Sequence, residues 1–196
     1  YSIYTNVFKL PPGGLLTLAA PFREHALSAY WSAAGQMADG VDRPFRGSPQ
    51  QAVEALDALL RDAVGAQMVA DVPLGAFLSG GVDSSTVTAL MQAQSPRPVK
   101  TFSIGFFESD FNEAHHAKAV ARHLGTDHTE LYVTAAQARD VVPALQDSYD
   151  EPFSDSSQLP TMLVSRLARR HVTVALSGDA GDELFCGYNR YQFVDT

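Results

Sequence analysis

The residues with the clearest chemical content lie in one run, Phe77-Leu78-Ser79-Gly80-Gly81-Val82-Asp83-Ser84-Ser85. An apolar stretch ends in Ser-Gly-Gly, and helical spacing begins at once through Val82, Thr86, Val87, Leu90 and Met91. A strand, loop and helix in that order bind anions. Adjacent glycines let backbone N–H groups turn toward one point with no Cβ in the way. The first helical turn adds unpaired donors and a partial positive charge, and Ser79, Ser84 and Ser85 add hydroxyls. Asp83 repels a phosphate unless a divalent cation stands between them, and Mg²⁺ is the usual cation beside nucleotide phosphates. No Lys lies within residues 79–85, which excludes the G-x-x-x-x-G-K-[ST] phosphate loop, and G-x-G-x-x-G is absent as well.

A second run has the same design. Val172-Thr173-Val174-Ala175-Leu176 reads as a buried β-branched strand, followed by Ser177-Gly178-Asp179-Ala180-Gly181-Asp182-Glu183-Leu184-Phe185-Cys186-Gly187-Tyr188-Asn189-Arg190-Tyr191. The first run resembles the pyrophosphate loop of the ATP pyrophosphatase group, which splits ATP into AMP and pyrophosphate. The second resembles a motif of the glutamine-dependent asparagine synthetase family within that group. Residues 150–157 and 101–106 fit the same family, so the resemblance covers Tyr4 to Tyr191. It implies ATP and Mg²⁺ as ligands. The implied nucleotide-contacting set is Phe77, Leu78, Ser79, Gly80, Gly81, Val82, Asp83, Ser84, Ser85, Ile104, Ser177, Gly178 and Asp179.

Within that set the first loop would hold the β,γ-phosphates. Ile104 and its strand, with Phe77 and Leu78 in one pocket, would meet adenine. Ser177 and Gly178 would reach the α-phosphate and ribose. Asp83 and Asp182 form the implied catalytic pair, holding Mg²⁺ with pyrophosphate. Two carboxylates plus phosphate oxygens suit that ion; the alternative for Asp182 is a carboxylate that serves a helix N-terminus. Asp179 either contacts an amino-acid substrate or shapes the loop. Ala180 stands where the family often has Gly, which weakens the case for left-handed backbone there.

The elements that must position these residues alternate. Ser48-Pro49 opens a helix as N-cap and first residue, with Val53, Leu56, Leu60, Ala63 and Val64 as its buried stripe. Strand 74–78 and helix 83–94 follow, then strand 99–106. Asn112 is expected to cap a helix that buries Ala114, Ala117, Val120, Ala121 and Leu124 and ends at Gly125. Strand 128–133 precedes a helix over 135–147 that Pro143 should kink or split. Helix 158–170 and strand 172–176 complete the set. The fold class is α/β: a parallel sheet flanked by helices, with right-handed crossovers. The resemblance implies the Rossmann-like adenine nucleotide alpha-hydrolase type. Ligands in such sheets sit outside the carboxyl ends of the strands, where residues 79–84, 103–105 and 177–182 fall.

Other residues carry less. The six His are scattered without metal-ligand spacing, and His116 with His123 reads as an exposed helix pair. Cys186 reads as a small buried thiol rather than a nucleophile. Asp150, Glu151 and Asp155 form either a solvated turn or a contact to substrate or a second Mg²⁺. Tyr188 and Arg190 either pack or reach phosphate. At 196 residues the chain suits one domain with a real core. Its net charge of −8 argues against a nucleic-acid surface. No apolar run approaches the ~20 residues of a membrane span, and no signal segment opens the chain. One Cys excludes an intrachain disulfide framework. The expected location is cytoplasmic.

Residues 1–47 read as an interdomain segment, with Pro11-Pro12-Gly13-Gly14 and Tyr30-Trp31 like the family's linker, and 48–196 as the ATP-binding synthetase domain. The chain reads as cut at both ends. The resemblance implies a preceding glutaminase domain as ammonia source, and a later segment carrying a Lys that no residue here represents. The expected activity is ATP-dependent amide formation on a small carboxylate, with aspartate favoured, in a possible homodimer. A β-lactam-forming or other amidating relative, a tRNA-thiolating ATP pyrophosphatase and a non-catalytic ATP-binding module are the rivals. Acidic charge and the lack of CxxC pairs count against the tRNA enzyme.

Overall fold

The computed structural model describes residues 2–19, 25–107, 113–152, 154–189 and 191. The chain divides into two compact units, Tyr1–Ala55 and Leu56–Thr196. The first holds an antiparallel hairpin of β1 (Gly14–Leu18) and β2 (His25–Ala29), in register from Gly14↔Ala29 to Leu18↔His25. Helix α1 (Ala33–Asp42) follows, its Ser32 N-cap oxygen accepting the Gly35 N–H at 3.1 Å. The segment read from sequence as a linker therefore has secondary structure of its own. Helix α2 (Pro49–Gln67) starts with a reciprocal cap. Ser48 Oγ accepts the Gln51 N–H at 3.3 Å, and Gln51 Oε1 accepts the Ser48 N–H at 2.8 Å.

The second unit is built on four parallel strands in the order β5-β4-β3-β6: β3 (Leu74–Phe77), β4 (Lys100–Phe106), β5 (Asp127–Val133) and β6 (Val174–Leu176). Side-chain alternation along β3 defines its two faces. Ala76 and Leu78 face helices α3 (Val82–Gln94) and α4 (Ala114–Leu124). Ala76 packs with Val64, Leu90, Met91 and Val99, while Leu78 packs with Ala117 and Ala121. Phe77 points the other way, to Phe102, Leu167 and Val172 under α6 (Gln158–Ala168). Burying one such side chain stabilises the fold by about 1.5–3 kcal/mol. Small residues on α4 let it lie close to the sheet, and Gly125 ends it in left-handed backbone, φ 72°. Among the described residues no helix is long and apolar enough to cross a membrane.

One expectation holds and two shift. Pro143 splits its helix into α5 (Ala135–Arg139) and a 3₁₀ turn, Val142–Ala144, because it offers no N–H to continue the ladder. Strand β6 starts two residues late, because the Val172 N–H bonds to the Ala168 carbonyl at 2.9 Å and closes the end of α6 instead. Only Leu60 and Val64 of the α2 stripe reach the core; Val53, Leu56 and Ala63 are exposed. The expected cap Asn112 lies outside the described residues.

Candidate functional site

Strand β3 delivers its loop to the N-terminus of α3. The loop is braced internally: Ser79 and Ser84 hydroxyls lie 2.9 Å apart, the Ser79 N–H donates to Ser84 Oγ at 3.2 Å, and the Gly81 N–H donates to Ser79 Oγ at 3.2 Å. Ser84 is therefore part of the loop's frame, buried at 8% exposure. Gly80 adopts φ 89°, and a Cβ there would lie 2.6 Å from the Ala117 N and 2.7 Å from the His116 Cβ. Helix α4 thus backs the loop, and only glycine fits. Val82 is exposed, whereas Ser85 Oγ is sealed from solvent with no hydrogen-bond partner among the described residues.

The loop after β6 meets the first loop directly. A Cβ on Gly178 would lie 2.6 Å from the Ser84 N. A Cβ on Gly181 would occupy the Asp83 carboxylate itself, so that carboxylate rests on the Cα of the residue preceding Asp182. Helix α7 (Gly181–Phe185) carries Asp182 in its first turn, and the Asp182 carboxylate lies against Gly187. Neither carboxylate makes a hydrogen bond or ion pair within the described residues. Both keep free acceptor oxygens beside a helix N-terminus. No group of three or more protein ligands is assembled among the described residues. A cation here would draw its other ligands from phosphate and water, which matches the hydration Mg²⁺ retains. Gly181→Ala is expected to displace the Asp83 carboxylate and weaken Mg²⁺-dependent nucleotide binding about tenfold or more, with the fold retained; calorimetry on the variant checks this.

Ser177 Oγ donates to Asp179 Oδ2 at 2.8 Å, so Asp179 shapes the loop. A cavity of about 570 Å³ opens beside it, with Asp155, Ser157, Asp179, Asp182, Glu183 and Tyr188 in its walls. The Ser157 N–H donates to Asp155 at 2.8 Å and holds that carboxyl below the usual range. Tyr188 Oη donates to Glu183 at 2.9 Å. Asp155 of the acidic segment thus lines the cavity next to the second loop. Ser157 and Glu183 fall within the runs read from sequence but neither is given a role there, because spacing does not show that the two runs share a cavity.

Several placements differ from expectation. Phe77 and Leu78 cannot line one pocket with their side chains: successive strand residues face opposite ways, and Leu78 is sealed at 1% exposure under α4. Ile104 lies on the Phe77 face, packed against the Phe102 and Val133 clusters. Ala180 adopts left-handed backbone after all, φ 74°, as the residue before α7. Ala180→Gly is accordingly expected to stabilise the fold by about 1 kcal/mol in urea unfolding. Cys186 is exposed rather than buried, in left-handed backbone at φ 58° where α7 ends. Arg190 lies outside the described residues.

The family model for asparagine synthase matches residues 55–195, which takes in both loops and nearly the whole second unit. The chain belongs to the asparagine synthase family. It is 41% identical over 189 residues to a putative glutamine-hydrolysing asparagine synthetase 2 of Methanocaldococcus jannaschii, covering 96% of this chain and 35% of that protein. It is 33% identical over 187 residues to glutamine-hydrolysing asparagine synthetase 1 of Bacillus subtilis, covering 95% of this chain and 28% of that one. The chain therefore spans about a third of the length of these relatives. Among solved structures, an NH₃-dependent NAD synthetase from Campylobacter jejuni superposes with a TM-score of 0.45 at 14% identity, over 73% of this chain and 62% of that one. The region matched to the asparagine synthase family begins at the boundary between the two compact units.

Proposed function

We propose that residues 48–196 form the ATP-binding synthetase domain of a glutamine-dependent amide-forming ligase, with residues 1–47 joining it to a glutaminase domain. The observation that carries this reading is the seating of Gly178 and Gly181 on Ser84 and Asp83, which joins both motif loops at the carboxyl edge of the sheet. ATP would lie across that edge. The loop amides and the N-terminus of α3 would receive the β,γ-phosphates, and Ser177 with Gly178 would approach the α-phosphate and ribose. Asp83 and Asp182 would hold Mg²⁺. When bound, that ion offsets charge building on the leaving pyrophosphate.

The acceptor is a carboxylate, with the aspartate side chain as the proposed substrate. Its oxygen attacks the α-phosphorus; the α,β-bridging P–O bond breaks and pyrophosphate leaves. Ammonia then attacks the acyl carbon, AMP departs, and one proton is lost as the amide forms. The protein's share is positioning and electrostatics: fixed backbone donors act without reorganising during the reaction. The acidic cavity beside Asp179 complements the ammonium group of an amino-acid acceptor.

Measuring AMP release by the full-length protein, with ATP, Mg²⁺, ammonia and a panel of carboxylates, tests the reading. Aspartate is expected to give AMP and asparagine in equal amounts. AMP formation with another carboxylate and none with aspartate would overturn the substrate assignment. ADP in place of AMP would overturn the chemistry.

A further inference from the structure

A second cavity, of about 420 Å³, lies between α4 and the edge strand β5. Lys118, Arg122, Thr126, His128 and Glu130 supply its polar walls, and Ala121 its apolar one. Arg122 sits in the last turn of α4 and His128 near the start of β5, so the cavity lies toward the amino ends of the parallel strands. The two phosphate-loop candidates lie at the opposite end.

The walls carry two charges with hydrogen-bonding capacity to spare. Arg122 forms no ion pair or hydrogen bond among the described residues. Glu130 has a side chain only 13% exposed, yet its contacts are long: Lys118 Nζ at 3.4 Å and His128 Nε2 at 3.6 Å. A carboxylate offers about four acceptor sites, and among the described residues Glu130 fills one of them with a hydrogen bond, from Lys118. His128 does not supply the missing charge. Its ring is fixed by Thr101 Oγ1 at 2.8 Å and Ser103 Oγ at 3.3 Å, and burial pushes its pKa below the usual 6.5. Thr126 Oγ1 lies 2.9 Å from Thr101 Oγ1 and keeps acceptor capacity toward the cavity.

An unpaired guanidinium on the helix wall and an under-served carboxylate on the strand wall are the complement of a small zwitterion. A single anion would meet Arg122 and Lys118 but be repelled by Glu130; a single cation would meet Glu130 but be repelled by both bases. We propose that this cavity binds a free α-amino acid, its carboxylate on Arg122 and its ammonium on Glu130. The polar lining and the limited volume select a small side chain. The site is independent of the nucleotide reading, because none of its residues belongs to either loop.

Ligand-observed NMR on the full-length protein, with L-alanine as probe, tests this. L-Alanine lacks the side-chain carboxylate of the proposed synthetase substrate. Saturable binding is expected, weakened about tenfold in Arg122→Gln and in Glu130→Gln. Acetate and methylammonium, each carrying half of the recognition, are expected to show no saturable binding. The proposal is overturned if L-alanine does not bind, if binding survives both substitutions unchanged, or if acetate binds as well as L-alanine, which would make this a plain anion site. Arg122 is exposed, so Arg122→Gln reports on binding without disturbing the core.

Discussion

Asp83→Ala in the full-length protein is expected to abolish ATP–pyrophosphate exchange while leaving the protein folded. The carboxylate rests on Gly181, one residue from Asp182, and makes no bond within the described residues that its loss would break. Its structural contributions are its packing against Gly181 and a favourable interaction with the α3 N-terminus, the latter about 0.3–1 kcal/mol. Its functional contribution is much larger. In the proposed mechanism, without Asp83 the cation site would lose one of its two protein ligands, and charge on the departing pyrophosphate would go uncompensated. Losses on the order of 10²–10³ in rate are typical when one such electrostatic element is removed, so exchange should fall to background. The contrast between lost exchange and an unfolding midpoint close to the parent's separates a catalytic from a structural role. Full exchange activity in Asp83→Ala would remove this residue from the mechanism.

Gly80→Ala is expected to fail differently. Two costs add at this position. The backbone at φ 89° is one that L-residues avoid. The new Cβ would also press on the Ala117 N and His116 Cβ, at 2.6 and 2.7 Å, and a helix backbone cannot rotate away as a side-chain tip can. A destabilisation of about 2–4 kcal/mol follows, together with loss of nucleotide binding as the loop lifts off α4. Each kcal/mol lowers the unfolding temperature of a protein this size by about 2–4 °C. The neighbouring glycine supplies the control. Gly81 has ordinary extended backbone, and a Cβ there would meet only the Ser79 Oγ at 3.3 Å. Gly81→Ala should therefore unfold within about 1 kcal/mol of the parent. Equal destabilisation by both substitutions would contradict the distinction between them.

The parallel core was legible because its signals are local. Leu74 to Leu78 is an apolar run ended by Ser79-Gly80-Gly81, and the spacing of Val87, Leu90 and Met91 belongs to a helix that covers a sheet. Pro143 announced its own break. The misplaced residues needed information that lies far off in sequence. Val53 and Leu56 fit a buried stripe, but spacing cannot say how much of a helix the sheet covers. Phe77 and Leu78 are both apolar and adjacent to the loop, and only the pleat assigns them to opposite faces. Val172 looks like a strand residue by type, yet its N–H serves the helix before it.

The site was legible as two separate loops. The way they meet was not, because the contact runs through Gly178 and Gly181, which have no side chain to suggest a partner. Ala180 and Cys186 show the limits of reading conformation from residue type: both take left-handed backbone, imposed by the short α7 between them. His128 looked like one more scattered histidine. Its role in a buried network with Thr101 and Ser103 arises only from the pairing of β4 with β5.

The central claim is that the loops after β3 and β6 together form one magnesium-dependent ATP site. Calorimetric titration of the protein with ATP, with and without Mg²⁺ and with GTP as control, tests it most directly. The account predicts saturable ATP binding that requires Mg²⁺, is not matched by GTP, and disappears in Asp83→Ala. Absence of ATP binding by the folded full-length protein, or equal binding of ATP with and without Mg²⁺, would contradict it.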